Sequence, residues 1–265
     1  MAISIVQVDS FTQKPFAGNP AAVCILPEAR AEAWMRDVAR EMNLSETAFL
    51  VPENGGYHLR WFTPAIEVAL CGHATLASAH VLWEDGHLKR GSQARFRTLS
   101  GTLLADQRGE WIEMDFPAKV GTAVEAPAGM LAALGVEKEA KAVERNQFDY
   151  LVEIGSEERL RALEPDHSAL RKVEARGVIV TAKASMPGYD FVSRFFAPGA
   201  GVDEDPVTGS AHCALGPYWM GRLGKAEFAA YQASARGGTV RVRVSGDRVL
   251  LSGQAVTVLR AELLT

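Results

Sequence analysis

Two short segments carry residue types that could bind an anion and move a proton, and each repeats the other. The first reads Arg60-Trp61-Phe62-Thr63-Pro64, then Cys71-Gly72-His73-Ala74-Thr75. The second reads Arg194-Phe195-Phe196-Ala197-Pro198, then Thr208-Gly209-Ser210-Ala211-His212. Arg60 and Arg194 stand 134 residues apart, as do Pro64 and Pro198; Gly72 and Gly209 stand 137 apart, as do Ala74 and Ala211. The second copy therefore holds three extra residues, and the 137 spacing continues through Gly101/Gly238 to Gly109/Gly246. Such a shared spacing implies duplication. It predicts two half-domains related by a pseudo-two-fold axis, each with a glycine turn opening a helix. The first N–H groups of a helix lack intrahelical partners and sit at its positive end. Two such ends facing each other would make an anion-binding cleft.

Around these turns stand groups suited to acid–base work. His73 changes charge near neutral pH and can act as electrophile or proton carrier. Glu46 lies between an apolar helical pattern and an apolar strand. There it is either a solvated junction residue or a partly desolvated carboxylate with a raised pKa, the kind that serves as general acid and base. Asp203-Glu204-Asp205-Pro206 precedes the second glycine turn. Acidic groups there suit a helix dipole, but Asp205 is also close enough in sequence to Thr208 and Ser210 to join a site. No metal is expected, because that acidic run lacks a His or Asn partner at ligand spacing. Cys71 at a helix start could be a lowered-pKa thiolate or simply a small buried residue. Asn19, in Gly18-Asn19-Pro20, reads as a turn residue that could hydrogen-bond a substrate carboxylate.

The remaining sequence narrows the class. With 265 residues and a formal net charge of −4, it has no block of like charge, which argues against nucleic acid or an anionic membrane as partner. Its three cysteines, Cys24, Cys71 and Cys213, form no CxxC pair, so neither a disulfide framework nor a zinc ribbon is expected and a cytoplasmic setting is. The first residues read as a strand rather than a leader, and no apolar run approaches a membrane span. Neither a P-loop nor a GxGxxG fingerprint occurs, so no nucleotide cofactor is expected, and Ser210 is not in a GxSxG elbow.

The elements that must position these groups follow from periodicity. Residues 3–9 and 23–26 read as strands, and 30–42 as an amphipathic helix. Residues 47–51 and 57–62 form a hairpin around Asn54-Gly55-Gly56. Residues 72–83 and 209–220 are apolar around nearly the whole circumference and so predict buried helices, the second kinked or shortened by Pro217. Strands are expected at 96–104, 111–116, 150–154, 177–181, 190–196, 239–244 and 248–251. A helical stretch at 157–173 is broken by Pro165. The half-domains are placed at 1–117 and 118–265, with a linker at 117–127. The class is α+β: two curved, mostly antiparallel sheets, each wrapped around a central helix.

Taken together, Gly18-Asn19-Pro20, Glu41-Met42-Asn43-Leu44-Ser45-Glu46-Thr47, Gly72-His73-Ala74-Thr75 and Glu204-Asp205-Pro206-Val207-Thr208-Gly209-Ser210-Ala211 resemble the phenazine-biosynthesis PhzF family. The likeness is nearest to its phenazine biosynthesis-like domain subgroup and spans nearly the whole chain. It implies the diaminopimelate-epimerase-like fold, a cofactor-free isomerase and a homodimer. By motif position the family's proton-moving glutamate falls on Glu46, and its histidine, aspartate and serine on His73, Asp205 and Ser210. The chain departs from the phenazine enzyme at Cys71 and Ala74, where that enzyme has alanine and proline, and at Asp205-Pro206-Val207, where it has small residues. Its substrate therefore need not be dihydrohydroxyanthranilate. Cys71 is similar to the cysteine base of diaminopimelate epimerase, but the second thiol of such a pair is missing.

The expected reaction is cofactor-independent proton transfer on a small carboxylate at the interdomain cleft. Glu46, His73 and Asp205 are the expected catalytic residues; Asn19, Gly72, Thr208, Gly209 and Ser210 would bind substrate. Two alternatives stand beside it: a ligand-binding or protein-interaction member of the fold without turnover, and an epimerase dependent on Cys71.

Overall fold

The computed structural model describes residues 3–264; Met1, Ala2 and Thr265, which the expected domain bounds included, lie outside the described residues. The chain forms two compact units. One comprises residues 1–115 with 252–265, the other 116–251.

The first unit runs β1 (Ile3–Ser10), β2 (Asn19–Ile25), α1 (Glu32–Met42), β3 (Glu46–Glu53), β4 (Gly56–Phe62), β5 (Glu67–Val68), α2 (Gly72–Glu84), β6 (Ala94–Thr98), β7 (Gly101–Arg108) and β8 (Trp111–Pro117). The second runs β9 (Thr122–Ala123), α3 (Met130–Leu134), β10 (Ala140–Arg145), β11 (Asp149–Ile154), α4 (Glu157–Arg161), α5 (His167–Leu170), β12 (Gly177–Lys183), β13 (Phe191–Ala197), β14 (Val202–Asp205), α6 (Gly209–Leu223), β15 (Glu227–Gln232), β16 (Gly238–Ser245) and β17 (Arg248–Gly253). The last strand, β18 (Ala255–Leu263), returns to pair antiparallel with β1 along its length. The chain from Ser252 onward thus belongs to the first unit, whereas the sequence boundary of 118–265 gave it to the second.

The duplication is visible in the pairing. In the first unit β2 pairs parallel with β3, β3 antiparallel with β4, β4 parallel with β6, and β6 antiparallel with β7. In the second, β11 with β12, β12 with β13, β13 with β15 and β15 with β16 repeat that sequence of directions. The three extra residues of the second copy lie between Pro198 and β14, where Pro198–Ala200 makes a 3-10 turn. Arg60 forks onto both oxygens of Glu67 at 2.7 and 2.6 Å, and Arg194 onto both of Glu204 at 2.7 and 2.8 Å. Each arginine also lies over the phenylalanine two residues on, Phe62 at 5.0 Å and Phe196 at 4.9 Å.

Each unit buries its apolar side chains on two faces of a sheet. In the first, Met35, Val38 and Ala39 of α1 pack on Ala22, Cys24, Phe49 and Phe62. In the second, Met130, Leu134, Leu160 and Leu170 of α3 to α5 pack on Tyr150, Val152, Val178, Val180 and Phe196. The period of two along a strand sends the intervening residues to the opposite face. That face is covered in the first unit by α2, which contacts β1, β2, β3 and β18, and in the second by α6 against β16. Both helices are buried nearly all round, as their composition requires. Gly216 lets α6 approach closely: a Cβ there would meet Val242 Cγ1 at 2.9 Å.

Several local expectations differ. Asn19 and Pro20 begin β2 rather than forming a turn; the turn falls on Gly18, whose φ of +66° and 2.1 Å approach of a would-be Cβ to Ser10 O leave room only for glycine. Residues 96–104 are not one strand but β6 and β7, joined by a turn at Leu99-Ser100. Pro217 neither kinks nor shortens α6, which continues to Leu223. Its ring removes one N–H, and the carbonyl so released, that of Cys213, accepts from the Lys119 N–H at 2.9 Å. Strands β10, β15 and β18 and helix α3 had no sequence expectation.

Candidate functional site

Alternation along β2 and β3 decides where Asn19 and Glu46 point. Ala22, Cys24 and Phe49 face α1, so Asn19, Ala21 and Glu46 fall on the α2 face. The parallel register sets Ala21 opposite Glu46, placing Asn19 two residues before that pair. Glu46 is the first residue of β3, immediately after the αL residue Asn43 (φ 51°) ends α1 and Leu44-Ser45 turns the chain. Helix α2 begins at Gly72 with Cys71 as N-cap, and so delivers Cys71 and His73 to the same place.

There the side chains form one cluster around the His73 ring. Asn19 Nδ2 lies 3.2 Å from His73 Nδ1, and Cys71 Sγ lies 3.5 Å from the same nitrogen. Ser45 Oγ lies 3.3 Å from Nε2 and 3.3 Å from Asn19 Oδ1. Because Oδ1 accepts from Ser45, the amide of Asn19 turns its NH2 group toward His73. An N–H donor at Nδ1 leaves the ring proton of neutral His73 on Nε2. Glu46 Oε2 stands 3.2 Å from that Nε2, yet it is fully enclosed and accepts no hydrogen bond. Burial pushes the Glu46 carboxyl above its ordinary pKa, while hydrogen bonds from Ser45 and Cys71 pull the other way and do not overcome it. Asn19 is completely buried, and His73 and Cys71 nearly so. A carboxyl whose pKa is raised by burial, standing beside an imidazole, has the makings of an acid–base pair.

The backbone of this cluster is tied down. Ser10 Oγ donates to His73 O at 2.8 Å, and Thr75 Oγ1 donates to Cys71 O at 2.5 Å. No side chain caps the first turn of α2, so its N–H groups can serve a ligand anion.

The second unit builds a related group. Thr208 is the N-cap of α6, Gly209 its first residue and Ser210 its second. Thr208 Oγ1 donates to Asp205 Oδ2 at 2.5 Å. Gln232 brackets the turn: its Oε1 accepts from Thr208 N–H at 2.8 Å, and its Nε2 donates to Asp205 O at 2.7 Å and to Thr208 Oγ1 at 3.1 Å. His212 Nδ1 bonds Thr208 O at 2.8 Å, the position at which Thr75 bonds Cys71 O in the first unit. The acidic run of 203–205 is divided among partners: Glu204 is held by Arg194, Asp203 lies 3.5 Å from Arg171, and Asp205 turns to Thr208.

The first unit thus gathers Asn19, Glu46, Gly72 and His73, and the second gathers Asp205, Thr208, Gly209 and Ser210. Two contributors were missed as site residues. Ser45 precedes Glu46 in the motif and was available to be chosen. Gln232 sits at the end of β15, where no strand was expected and no local pattern marks it.

Comparison with known proteins places these features in a lineage. Residues 8–261 match the PhzC-PhzF family model, described as phenazine biosynthesis-like protein. An uncharacterized isomerase from Halalkalibacterium halodurans is 56% identical over 265 residues, 100% of this chain and 99% of its own. The human phenazine biosynthesis-like domain-containing protein is 40% identical, with 99% of each chain covered. A crystal structure of a PhzF-family protein from Enterococcus faecalis matches with a TM-score of 0.95 at 39% identity, over the whole of both chains. The α+β, diaminopimelate-epimerase-like fold expected from the resemblance is the fold observed.

Proposed function

Because the chain belongs to the PhzC-PhzF family of phenazine biosynthesis-like proteins, we propose that it is an isomerase that moves a proton on a small carboxylate without a cofactor, with Glu46 as the proton carrier. One observation carries this reading: Glu46 Oε2 is enclosed, accepts no hydrogen bond and lies 3.2 Å from His73 Nε2. A carboxylate in that state gains by taking a proton from an acidic C–H, and it returns the proton readily because Ser45 and Cys71 favour its charged form. His73, with its proton on Nε2, stands 3.2 Å from Glu46 Oε2 and is placed to exchange a proton with it, although the two share no hydrogen bond at rest. The N–H groups at the start of α2 bind the substrate carboxylate and the negative charge that develops beside it.

The proposal gives Asp205 a share in the proton transfer and Thr208, Gly209 and Ser210 a share in substrate binding, as the resemblance implies. The test is solvent exchange. A panel of small carboxylates is screened by thermal shift, and binders are incubated in deuterium oxide and followed by NMR. Glu46→Gln is expected to lower deuterium incorporation at least about 10²-fold while binding persists. Full exchange in that variant would remove Glu46 from the mechanism, and binding without exchange in the unaltered protein would favour a ligand-binding role.

A second reading has its own observation: Cys71 Sγ belongs to the same cluster. An epimerase using the thiol as base would be inactivated by iodoacetamide and by Cys71→Ala. On the main reading, Cys71→Ala keeps exchange within about tenfold, since its contribution is one hydrogen bond to Glu46.

A further inference from the structure

The cluster that serves proton transfer also contains a donor set for a soft divalent cation. We infer that Glu46, Cys71 and His73 bind one thiophilic metal ion, of the Zn2+ class, which excludes substrate. The inference concerns the site of the proposed isomerase but does not need the isomerase reading to hold.

Three observations support it. A thiol, an imidazole and a carboxylate each offer an atom, and these atoms lie within 4.8 Å of one another. Cys71 Sγ and His73 Nδ1 are 3.5 Å apart. A tetrahedral zinc with Zn–S of about 2.3 Å and Zn–N of about 2.0 Å spans an edge of about 3.5 Å, so two ligands are already at ligand separation. The third, Glu46, has an enclosed Oε2 without a hydrogen-bond partner; it stands 3.2 Å from the ring's other nitrogen, Nε2, so the carboxylate must rotate to meet an ion held at Nδ1. A cation would supply the opposite charge that this enclosed oxygen lacks. Asn19, whose amide lies 3.2 Å from Nδ1, must turn to admit the metal; rotated by half a turn, it presents Oδ1 instead of Nδ2.

Neither other thiol competes. Cys24 is fully buried and its thiol is pushed up to about 12 by burial, which denies it the thiolate form a metal needs. Cys213 lies inside α6, away from any group of three donors found among the described residues. The duplicated turn of the second unit has Thr208 and Ser210 where Cys71 and His73 stand, so it lacks soft ligands.

Metal binding and proton transfer are mutually exclusive here. Coordination takes the lone pair of Glu46 that would accept the substrate proton, and it requires Cys71 to lose its proton, while neutral His73 binds through its unprotonated Nδ1. Zinc is therefore an inhibitor of this site rather than its catalyst.

The experiment is a titration of the reduced full-length chain with Co2+, a spectroscopic stand-in for Zn2+. The expected result is one Co2+ per chain, with a near-ultraviolet thiolate-to-cobalt charge-transfer band that equimolar Zn2+ abolishes. Cys71→Ala is expected to lose the band and at least about tenfold in affinity. Glu46→Gln should keep the band but bind less tightly. Circular dichroism confirms folding, and Cys71→Ser repeats the test should the alanine variant fail to fold. Cobalt bound without the band, a band unchanged in Cys71→Ala or Cys71→Ser, or no binding at micromolar metal would each overturn the inference. Metal-free protein that catalyses no exchange, from a preparation that gives the band once cobalt is added, would refute the isomerase reading alone.

Discussion

Glu46 Oε2 lies 3.2 Å from His73 Nε2 but makes no hydrogen bond there, so this oxygen is enclosed without a partner while Ser45 and Cys71 bond the same carboxyl. An unpartnered buried oxygen costs the fold stability.

That cost gives the first prediction. Burial raises the Glu46 pKa above the ordinary 4.5 of a glutamate, so between pH 4.5 and the folded value the native state binds more protons than the unfolded one. Stability contributed by this residue is then fully present below pH 4.5 and is lost as pH rises through the folded pKa. Glu46→Gln, which is neutral at every pH, is expected to match the unaltered protein in acid and to exceed it in stability above that window. Urea denaturation at a series of pH values measures the difference. A variant less stable at neutral pH would show that the carboxylate is well accommodated after all.

The second prediction concerns the tautomer of His73. Asn19 places an N–H donor 3.2 Å from Nδ1 and thereby keeps the ring proton on Nε2, toward Glu46. Asn19→Asp replaces donor by acceptor and draws the proton to Nδ1. Turnover should fall about 10²-fold with KM little changed, because the change reverses which ring nitrogen can donate, not the shape of the pocket. Nitrogen-15 chemical shifts of His73 report the tautomer directly. An unchanged shift pattern with lost activity would place the effect elsewhere.

The junctions that carry Glu46 and His73 were legible from local rules: the end of an amphipathic helix, and a glycine turn before a buried one. The duplication was legible as well, since Arg60/Arg194 and Gly72/Gly209 keep their spacing; the structure adds that Glu67 and Glu204 complete the repeated forks. What stayed hidden depends on partners remote in sequence. Pro217 reads as a helix breaker only while the Cys213 carbonyl is assumed to lose its partner, and that partner is Lys119. Gln232 earns its place only through three bonds to Asp205 and Thr208. β18 belongs with β1 across nearly the whole chain, a pairing no window of residues contains.

The repeated forks predict matched energetic roles. Arg60–Glu67 joins β4 to β5, and Arg194–Glu204 joins β13 to β14, with side chains only 11–22% exposed. Bidentate pairs that are this sheltered outweigh ordinary surface ion pairs, since loss of the glutamate leaves Arg60 with Glu32 alone and Arg194 with only the Leu160 and Leu163 carbonyls. Glu67→Gln and Glu204→Gln should each cost about 1–3 kcal/mol and fall within about 1 kcal/mol of each other. Chemical denaturation of the two variants decides it. A large inequality would mean that the two copies have diverged in what holds their turns.

His212 supplies the last prediction, and here the sign opposes that of Glu46. The ring is fully buried beside Phe191 at 6.2 Å, its Nδ1 bonds Thr208 O, and its Nε2 is enclosed without a hydrogen-bond partner. Burial pulls its pKa from 6.5 down to about 4, the bond to Thr208 opposing only in part. Between those values the unfolded chain binds the proton and the native state does not, so stability is intact above pH 6.5 and declines as pH falls toward 4. The decline attributable to this residue is about 3 kcal/mol across the window. Protonation keeps the Nδ1–H bond to Thr208 O and adds the second proton at the enclosed Nε2, so the cost is a buried charge without a partner rather than a lost bond at the α6 N-cap. His212→Asn keeps a donor for Thr208 O but cannot titrate. It should flatten the acid limb of the melting-temperature profile while costing some stability at neutral pH through lost ring volume. An acid limb as steep as before in that variant would assign the loss to other groups.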